Sequence, residues 1–441
     1  MGFTRNLEHG AKVSSYVTKL RQSTPESLID FPTSHRFLWK PPQSTNRFLS
    51  LGCLLPVKAT GIGRFGQILK QINCLTFELT LDSVTGNPPN DVRPRFNGGF
   101  SFYNGPEVGS PWNLGVSAYF WVPKYQVLKT KDGTWLTQNR LVEPDETVSA
   151  DYHRDRLDRF QSNSTKSLSK NSICSVELDP DNQQWKQRVN EFRRDCSSGD
   201  IDKIVPAQHR TLSLERPLTL SELHQNFTLG NHKTYRFLFQ MNHSGVFAGA
   251  SPEQLLTLRG RSLESVSIAG TIGSGESERD RQDLANELSN SRKDSTKYLR
   301  NKLAPFSSTL ETVPQAVKSY TKVQHLVTAL KSRLKSDCHV LELVERIHPT
   351  PAVCGHPTGL VQEKLKATES FDRGFYAAPV GWFDQNGNGE FSVAIRSALV
   401  KGNIAHTFAG AGVISESSPQ RELEELELKF DSIHSQLLGN E

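Results

Sequence analysis

The sequence has few of the groups that carry redox, metal or membrane chemistry. Its cysteines are scattered and include no CxxC pair, which favours reduced thiols over a disulfide framework or a zinc site. No run of about 18 apolar residues is present, so no segment is predicted to span a membrane. Walker A, GxGxxG, GxSxG and HExxH motifs are also absent, which excludes several common signatures of nucleotide-binding and hydrolytic enzymes. The six cysteines are Cys53, Cys74, Cys174, Cys196, Cys338 and Cys354.

Charge and composition further narrow the class of protein and its expected partners. The net charge is only +5 over 441 residues and no basic stripe is interleaved with aromatic residues, so nucleic acid is not an expected partner. Hydrophobic residues make up 36% and charged residues 22%, as in a soluble globular protein. Basic residues outnumber acidic ones over 1–22, which fits either a transit peptide or a frayed polar terminus. We expect the frayed terminus and a cytoplasmic location.

Composition divides the chain into three parts. Residues 1–45 are polar, broken by prolines, and predicted to be an extension with a strand or two. Residues 46–175 read as short strands between turns and end in a Ser-, Asn- and Lys-rich stretch, 158–175, that is a candidate linker. Residues 176–441 form the third part and contain most of the candidate functional motifs.

Periodicity predicts a mixture of strands and helices. A strand is predicted from Lys203, and Asn-Gly turns predict that the last three strands form an antiparallel meander. The other predicted strands span 97–105, 116–123, 376–384, 390–400 and 404–412. The predicted helices span 183–197, 278–303, 315–335 and 419–437.

The stretch GVFAGASPEQLL, residues 245–256, places a single carboxylate at a stiff apolar corner. Small residues allow a ligand to approach the backbone, and Pro252 restricts the turn. Glu253 in such surroundings is a candidate general acid with a raised pKa. The alternative is a solvated glutamate on an ordinary turn.

Three further motifs each have a functional and a structural interpretation. Read as one strand, 390–400 places Arg396 among small residues, where it could clamp a carboxylate or form a structural ion pair. Glu422, Glu425 and Lys429 share one face of the last predicted helix, which fits a Mg²⁺ site or a solvated charged surface. His348 lies in IHPTPAVCGHP, which indicates either a loop lining a pocket or a packed histidine.

Taken together, these motifs resemble the chorismate-utilising enzymes, which include isochorismate, salicylate and anthranilate synthases. The resemblance covers about three quarters of the chain and keeps the family's order of motifs. It implies an α+β fold in which two large, mostly antiparallel β-sheets carry outer helices, with chorismate and Mg²⁺ bound between the sheets. A monomer or weak homodimer is expected. The motifs are GGFSF, GASPE, AGT, ELSNSRKD, HPTPAVCG, YAAPVGW, GEFSVAIRSA, GAG and a final ExxExxxK.

The resemblance also implies roles for individual residues. Arg396 and Tyr376 resemble contacts to one substrate carboxylate, and Lys429 with the backbone around Gly412 resembles contacts to the other. Thr271 and His348 resemble pocket-lining residues. The implied metal ligands are Glu422, Glu425 and Asp294.

Lys203 in DKIVPAQ decides the branch of the family that the chain resembles. Isochorismate and salicylate synthases have a lysine here, whereas the amine-inserting branch does not. Water attack at C2 of chorismate needs a base, and departure of the C4 hydroxyl needs an acid. The resemblance assigns these roles to Lys203 and Glu253, with isochorismate for quinone or siderophore synthesis as the product. Salicylate synthase, which adds pyruvate elimination, remains an alternative.

One position departs from the family pattern. The metal helix of relatives reads K-[DE]-x-x-E-H, but here Lys297 stands at the position of the glutamate and Tyr298 at that of the histidine. An ammonium beside a divalent ion opposes its binding. Three interpretations remain: Lys297 turns away from the ion, Lys297 pairs with Glu422 and Glu425 in place of the ion, or the chain is a non-catalytic family member.

Overall fold

The computed structural model describes most of the chain. The described residues are 11–20, 23–82, 88–105, 110–113, 115–143, 146, 160, 171–228, 233–242, 245–273, 294–319 and 323–439. The predicted linker, apart from Phe160 and residues 171–175, lies outside them. So does the first part of the helix predicted over 278–303, up to residue 293.

The described part contains 21 strands and seven α-helices. The strands are β1 Lys12–Leu20, β2 His35–Lys40, β3 Arg47–Ala59, β4 Thr76–Leu81, β5 Arg95–Phe100, β6 Ala118–Thr130, β7 Gly133–Val142, β8 Ile173–Asp179, β9 Lys203–Ile204, β10 Ala207–Leu214, β11 Tyr235–Met241, β12 Val246–Ser251, β13 Gln254–Arg259, β14 Ser262–Gly273, β15 Ser307–Ser319, β16 Val323–Leu334, β17 Gly355–His356, β18 Pro379–Asp384, β19 Gly389–Val393, β20 Ser397–Lys401 and β21 Ile404–Gly410. The helices are α1 Arg64–Ile72, α2 Asn182–Ser198, α3 Leu220–Thr228, α4 Asp294–Leu303, α5 Val340–Ile347, α6 Thr358–Thr368 and α7 Pro419–Leu438.

The strands form two large sheets that share the β3–β6 pair. Strand β3 has a register shift between Cys53 and Leu55, and the pair belongs to one sheet before that point and to the other after it. The first sheet has the order β4-β1-β7-β6-β3-β2-β11-β12-β20-β21-β10-β8. The second has the order β3-β6-β5-β18-β19-β13-β14-β16-β15. Among described strands only β1 and β4 pair in parallel. The expected α+β fold with two large, mostly antiparallel sheets is therefore confirmed.

The chain crosses between the sheets at two adjacent places. It passes from β12 in the first sheet to β13 in the second through Pro252 and Glu253, and returns from β19 to β20 through residues 394–396. The crossings are hydrogen-bonded to each other, because Val393 N donates to Glu253 O (3.1 Å) and Ala250 N donates to Arg396 O (3.0 Å). Acidic and basic side chains are thereby brought to the opening between the sheets.

The second crossing corrects two expectations. The segment 390–400 is not one strand, since Arg396 adopts a left-handed φ of 54° that ends the alternation of faces. The three-strand meander is also wrong: β18–β19 and β20–β21 are hairpins, but β19 pairs with β13 and β20 pairs with β12. Local turn chemistry identified both hairpins, whereas the change of sheet depends on distant strands.

Two other predictions differ from the structure. The helix predicted over 315–335 is wrong: the region belongs to the β15–β16 hairpin, which pairs with the long strand β14. Several β-branched residues in this stretch fit a strand as well as they fit a helical stripe. The strand from Lys203 is interrupted at Val205 and Pro206, which separate β9 from β10.

Helices pack on the sheets and hold in place the segments that carry the candidate site. Helix α7 packs on β21 and on helices α2 and α3, as its predicted apolar stripe requires. The buried side of α7 consists of Leu423, Leu426, Phe430, Ile433, Gln436 and Leu437. Helix α5 packs on β13 and α1. Within the described residues, no helix has the length and hydropathy needed to cross a membrane.

Candidate active site

Glu253 lies at the first crossing and is almost completely buried, at 4% exposure. Its backbone is fixed from both sides, because its N–H donates to Ser251 Oγ (3.2 Å) and its carbonyl accepts from Val393. Within the described part of the chain, its carboxyl group accepts no hydrogen bond. Burial raises the pKa of Glu253 to about 7, and the nearby Lys203 ammonium only partly opposes this shift. The carboxyl group can therefore carry a proton near neutral pH.

Lys203, on the short strand β9, lies at the same opening between the sheets as Glu253. This opening, the cleft, contains Lys203 and the charged groups that act on it, Glu253, Glu422, Glu425 and Lys429. Strand β9 pairs with β17, and Ile204 pairs with Val413 on its other side. A Cβ atom at Gly412 would lie 2.6 Å from Lys203 Cε, so the side chain occupies space that only a glycine leaves open. Burial lowers the pKa of Lys203, although the carboxylates of Glu425 and Glu253 favour the charged form. A neutral amine is thus more accessible here than at a lysine on the surface.

The charged face of α7 points at the cleft. Lys429 Nζ donates to Glu425 Oε1 (2.5 Å) and to the carbonyl of Gly410 (2.7 Å). Burial and the neighbouring Glu425 carboxylate raise the pKa of Glu422 to about 7. Two crowded carboxylates are therefore held beside Lys203, in surroundings that an additional cation would stabilise.

Tyr376 and Arg396 complete this side of the cleft. Tyr376 is buried and stacks on Phe408 with ring centroids 5.2 Å apart, and its hydroxyl group lies against Gly410. Arg396 Nη1 donates to the carbonyl of Lys429 (3.4 Å). Ala377 and Arg396 both have positive φ angles, 61° and 54°, and are joined through Ala394, whose carbonyl accepts from Ala377 N (2.9 Å). Such backbone strain in residues other than glycine is typical of functional sites.

His348 follows the last turn of α5 and is buried at 9% exposure. Among the described residues, neither of its ring nitrogens has a hydrogen-bond partner. Burial, with a smaller effect from Arg64, holds its pKa well below the ordinary value, so the ring is neutral. A buried imidazole without partners carries an energetic cost that a polar ligand can remove.

The structure gives less detail for Thr271 and Asp294. Thr271 belongs to β14 and Asp294 begins α4, but their side chains lie outside the described set. Lys297 on α4 is exposed. Among the described residues, no three His, Cys, Asp or Glu side chains converge as metal ligands. Glu422 and Glu425 fit one side of a Mg²⁺ site, and the position of the expected third acid is occupied by a cationic residue.

One buried ion pair next to the cleft is not predicted by any motif. Glu369 and Arg373 are each 1% exposed. Their side chains are hydrogen-bonded to the backbone of Val205, Ala207 and Val353. The i,i+4 spacing of the two residues was visible, but that pattern is common on solvated helices. Only the fold shows that this pair is buried.

The cleft brings together a buried acid, a lysine with a lowered pKa and several cationic side chains. This set is typical of an enzyme that acts on a small carboxylated molecule. The chain belongs to the chorismate-binding enzyme family: the model for "Chorismate binding enzyme" matches residues 4–438.

Particular relatives cover nearly the whole chain. Isochorismate synthase MenF of Bacillus subtilis is 29% identical over 99% of this chain and 95% of its own length. The salicylate biosynthesis isochorismate synthase of Pseudomonas aeruginosa is 30% identical over 90% of this chain and 84% of its own. The solved structure of the menaquinone-specific isochorismate synthase MenF from Escherichia coli shares the fold, with a TM-score of 0.78 at 21% identity over 98% of this chain and 97% of that one.

Proposed function

We propose that this chain is an isochorismate synthase, an isomerase that converts chorismate to isochorismate. The observation that carries the proposal is the convergence of Lys203 and Glu253 on one cleft, with pKa values shifted in opposite directions. An amine that releases its proton more readily and a carboxyl group that retains its own are the two groups the reaction needs.

Lys203 acts as the general base. Its neutral Nζ takes a proton from a water molecule as the water oxygen forms a bond to C2 of chorismate. The lowered pKa of Lys203 increases the fraction of this amine that is neutral at a given pH. The β9–β17 pairing and the space at Gly412 hold the amine at the cleft, so its position costs little entropy when the substrate arrives.

Glu253 acts as the general acid on the departing group. The ring double bonds shift as C2 gains oxygen, and the C4–O bond breaks. The proton of the Glu253 carboxyl group passes to the leaving oxygen, which departs as water. One water is added and one is released, so the reaction is an isomerisation, and proton exchange with solvent restores both residues. Because its pKa is about 7, Glu253 is partly protonated at neutral pH.

The remaining cleft residues bind and orient the substrate. Arg396 and Tyr376 contact one carboxylate, while Lys429 and the backbone at Gly412 contact the other. A guanidinium group binds a carboxylate bidentately, which fixes direction as well as distance. Thr271 and His348 line the ring pocket, where the unpartnered ring nitrogens of His348 are available to a polar group of the substrate.

Mg²⁺ would be held by Glu422 and Glu425, with Asp294 and water completing its shell. The ion would neutralise a substrate carboxylate and the two glutamates, whose crowding is visible in the raised pKa of Glu422. Lys297 is exposed, which favours the interpretation that it turns away from the ion. We expect weaker Mg²⁺ binding than a third carboxylate would give. A cytoplasmic location and a monomer or weak homodimer remain predictions.

An assay of the purified protein with chorismate, with and without Mg²⁺, tests the proposal. Chromatography should show isochorismate, and EDTA should reduce its rate of formation. Salicylate together with pyruvate would instead identify a salicylate synthase. Absence of all three products at millimolar Mg²⁺ would support a non-catalytic family member and contradict the proposal.

A further inference from the structure

The buried ion pair of Glu369 and Arg373 joins segments that carry different parts of the cleft. Glu369 caps the C-terminal end of α6, and Arg373 follows one turn later in the chain. Arg373 Nε donates to Glu369 Oε2 (2.7 Å) and Nη2 donates to Oε1 (2.5 Å). The two side chains therefore form a bidentate pair with little access to water.

One set of contacts reaches the segment that carries Lys203. Arg373 Nη2 donates to the carbonyl of Val205 (2.8 Å), and Ala207 N donates to Glu369 Oε1 (3.0 Å). Val205 is two residues beyond Lys203, in the interruption between β9 and β10. Strand β9 is only two residues long, so its own ladder provides few bonds to fix Lys203. The ion pair supplies two further hydrogen bonds to the backbone immediately after β9, at Val205 and Ala207.

A second set reaches the loop that begins at His348. Arg373 Nη1 donates to the carbonyl of Val353 (3.0 Å). The guanidinium group also lies 4.4 Å from the ring centroid of Phe102, whose edge-to-face partner is His348 at 6.0 Å. The next residue of the loop, Cys354, accepts from Val205 N (2.8 Å), which ties the loop directly to the Lys203 segment.

We propose that Glu369 and Arg373 are positioning residues that set the place of Lys203 Nζ relative to Glu253 and His348. Neither residue touches the substrate; they act through the backbone of Val205, Ala207 and Val353. This inference rests on the proposed function in that it gives Lys203 the role of base. A displacement of about 1 Å at a reacting group can lower a rate by about 100-fold, so a small shift of this backbone is enough to matter.

Arg373→Lys tests the proposal while keeping the buried charge. A lysine has no planar fork and cannot reach Val205, Val353 and both Glu369 oxygens at once. We expect kcat for isochorismate formation to fall by about 10- to 100-fold and KM to change less than kcat, because a displaced base acts on the chemical step. The limb of the kcat–pH profile that reports Lys203 should move toward higher pH. Water that enters a loosened segment weakens the desolvation that lowers the pKa of Lys203, so this pKa rises.

Arg95→Lys is the matched control. Arg95 is also a buried guanidinium; it lies 3.9 Å from the Trp382 ring centroid and donates to the Asp91 carbonyl (3.1 Å), away from the Lys203 segment. The Arg95→Lys substitution should lower Tm without moving the kcat–pH profile. If Arg373→Lys behaves in the same way, with lowered Tm and an unchanged profile, the pair is merely structural and the proposal is overturned.

A measurement that does not depend on turnover separates this inference from the proposed function. The purified protein is acetylated with acetic anhydride over a pH series, and peptide mass spectrometry measures labelling of Lys203 against the exposed Lys70. In Arg373→Lys the pH of half-labelling at Lys203 should rise by about 0.5 unit or more. An unchanged value contradicts positioning even if turnover is lost. A shift in a protein without isochorismate activity would support positioning while contradicting the proposed function.

Discussion

Two pairs of oppositely charged residues, Glu369–Arg373 and Glu253–Lys203, are stabilised very differently in this molecule. The carboxylate of Glu369 accepts from Arg373, Tyr103 and Ala207, and Arg373 also donates to two backbone carbonyls. The Glu253 carboxyl group has the nearby Lys203 ammonium as an electrostatic partner but, within the described residues, accepts no hydrogen bond. Both glutamates are buried, but only one has its charge satisfied.

The difference shows how the fold separates structure from chemistry. A fully hydrogen-bonded buried charge keeps its protonation state and holds backbone in place. A buried carboxyl group without partners has a pKa near neutral pH and can exchange a proton during a reaction. The same residue type is thus suited to a fixed anchor at 369 and to the proposed role of proton donor at 253.

The largest effect is expected from removing the proposed proton donor. Glu253→Gln preserves shape but cannot donate an acidic proton, so turnover of chorismate should fall by roughly 10³-fold. The rate is measured by chromatography of isochorismate. Glu264→Gln is the control, since Glu264 lies exposed on β14 and its side chain is 49% exposed. Turnover within about threefold of wild type in Glu253→Gln would remove Glu253 from the mechanism.

The second largest effect is expected from breaking the Glu369–Arg373 ion pair. Glu369→Gln leaves the Arg373 guanidinium buried without a counter-charge, which should cost about 3–5 kcal/mol of unfolding free energy. Urea denaturation at pH 7.5 measures the change. Asp337→Asn breaks the Arg261–Asp337 ion pair (2.7 Å), in which Asp337 is 88% exposed, and should leave stability unchanged. Equal effects of the two substitutions would mean that burial does not distinguish the pairs.

The unsatisfied acid should show the opposite effect on stability. Unfolded Glu253 loses its proton near pH 4.5, whereas the folded protein retains it to about pH 7, so wild-type stability falls as the pH rises through this window. Glu253→Gln should therefore be more stable than wild type by up to roughly 3 kcal/mol at pH 8. The difference should shrink toward pH 4.5. Urea titrations at both pH values that show no gain at pH 8 would contradict the raised pKa.

The smallest expected effect concerns the metal side of the cleft. Lys297→Glu restores an acid at the position where the family pattern has one, and should increase Mg²⁺ affinity by several-fold, about 1 kcal/mol. Isothermal calorimetry with Mg²⁺ alone measures this. Lys302→Glu introduces the same charge change at another exposed position on α4 and should have a smaller effect. Equal gains from both variants would indicate a general electrostatic effect rather than a restored ligand.

Local patterns predicted much of the fold, whereas the roles of the site residues stay predictions. The apolar stripe of α7, helix α2 and both C-terminal hairpins follow from spacing and turn chemistry that act within a few residues. The helix predicted over 315–335 failed because its apolar spacing fits two periodicities and pairing with β14 decided between them. The burial of Glu369 and Arg373 could not be predicted, since charged residues at i,i+4 are usually solvated.

The sequence by itself determined the family and, through the family resemblance, the expected fold of two sheets, because motifs and their order are local properties of the chain. It also named the acid and the base that are proposed here. The tertiary structure alone decided that the chain changes sheets at Glu253 and again at Arg396, which brings distant strands to one opening. It also decided which glutamate was left with few partners. Burial and hydrogen bonding depend on every element around a side chain, and these two quantities set its pKa and therefore its chemistry.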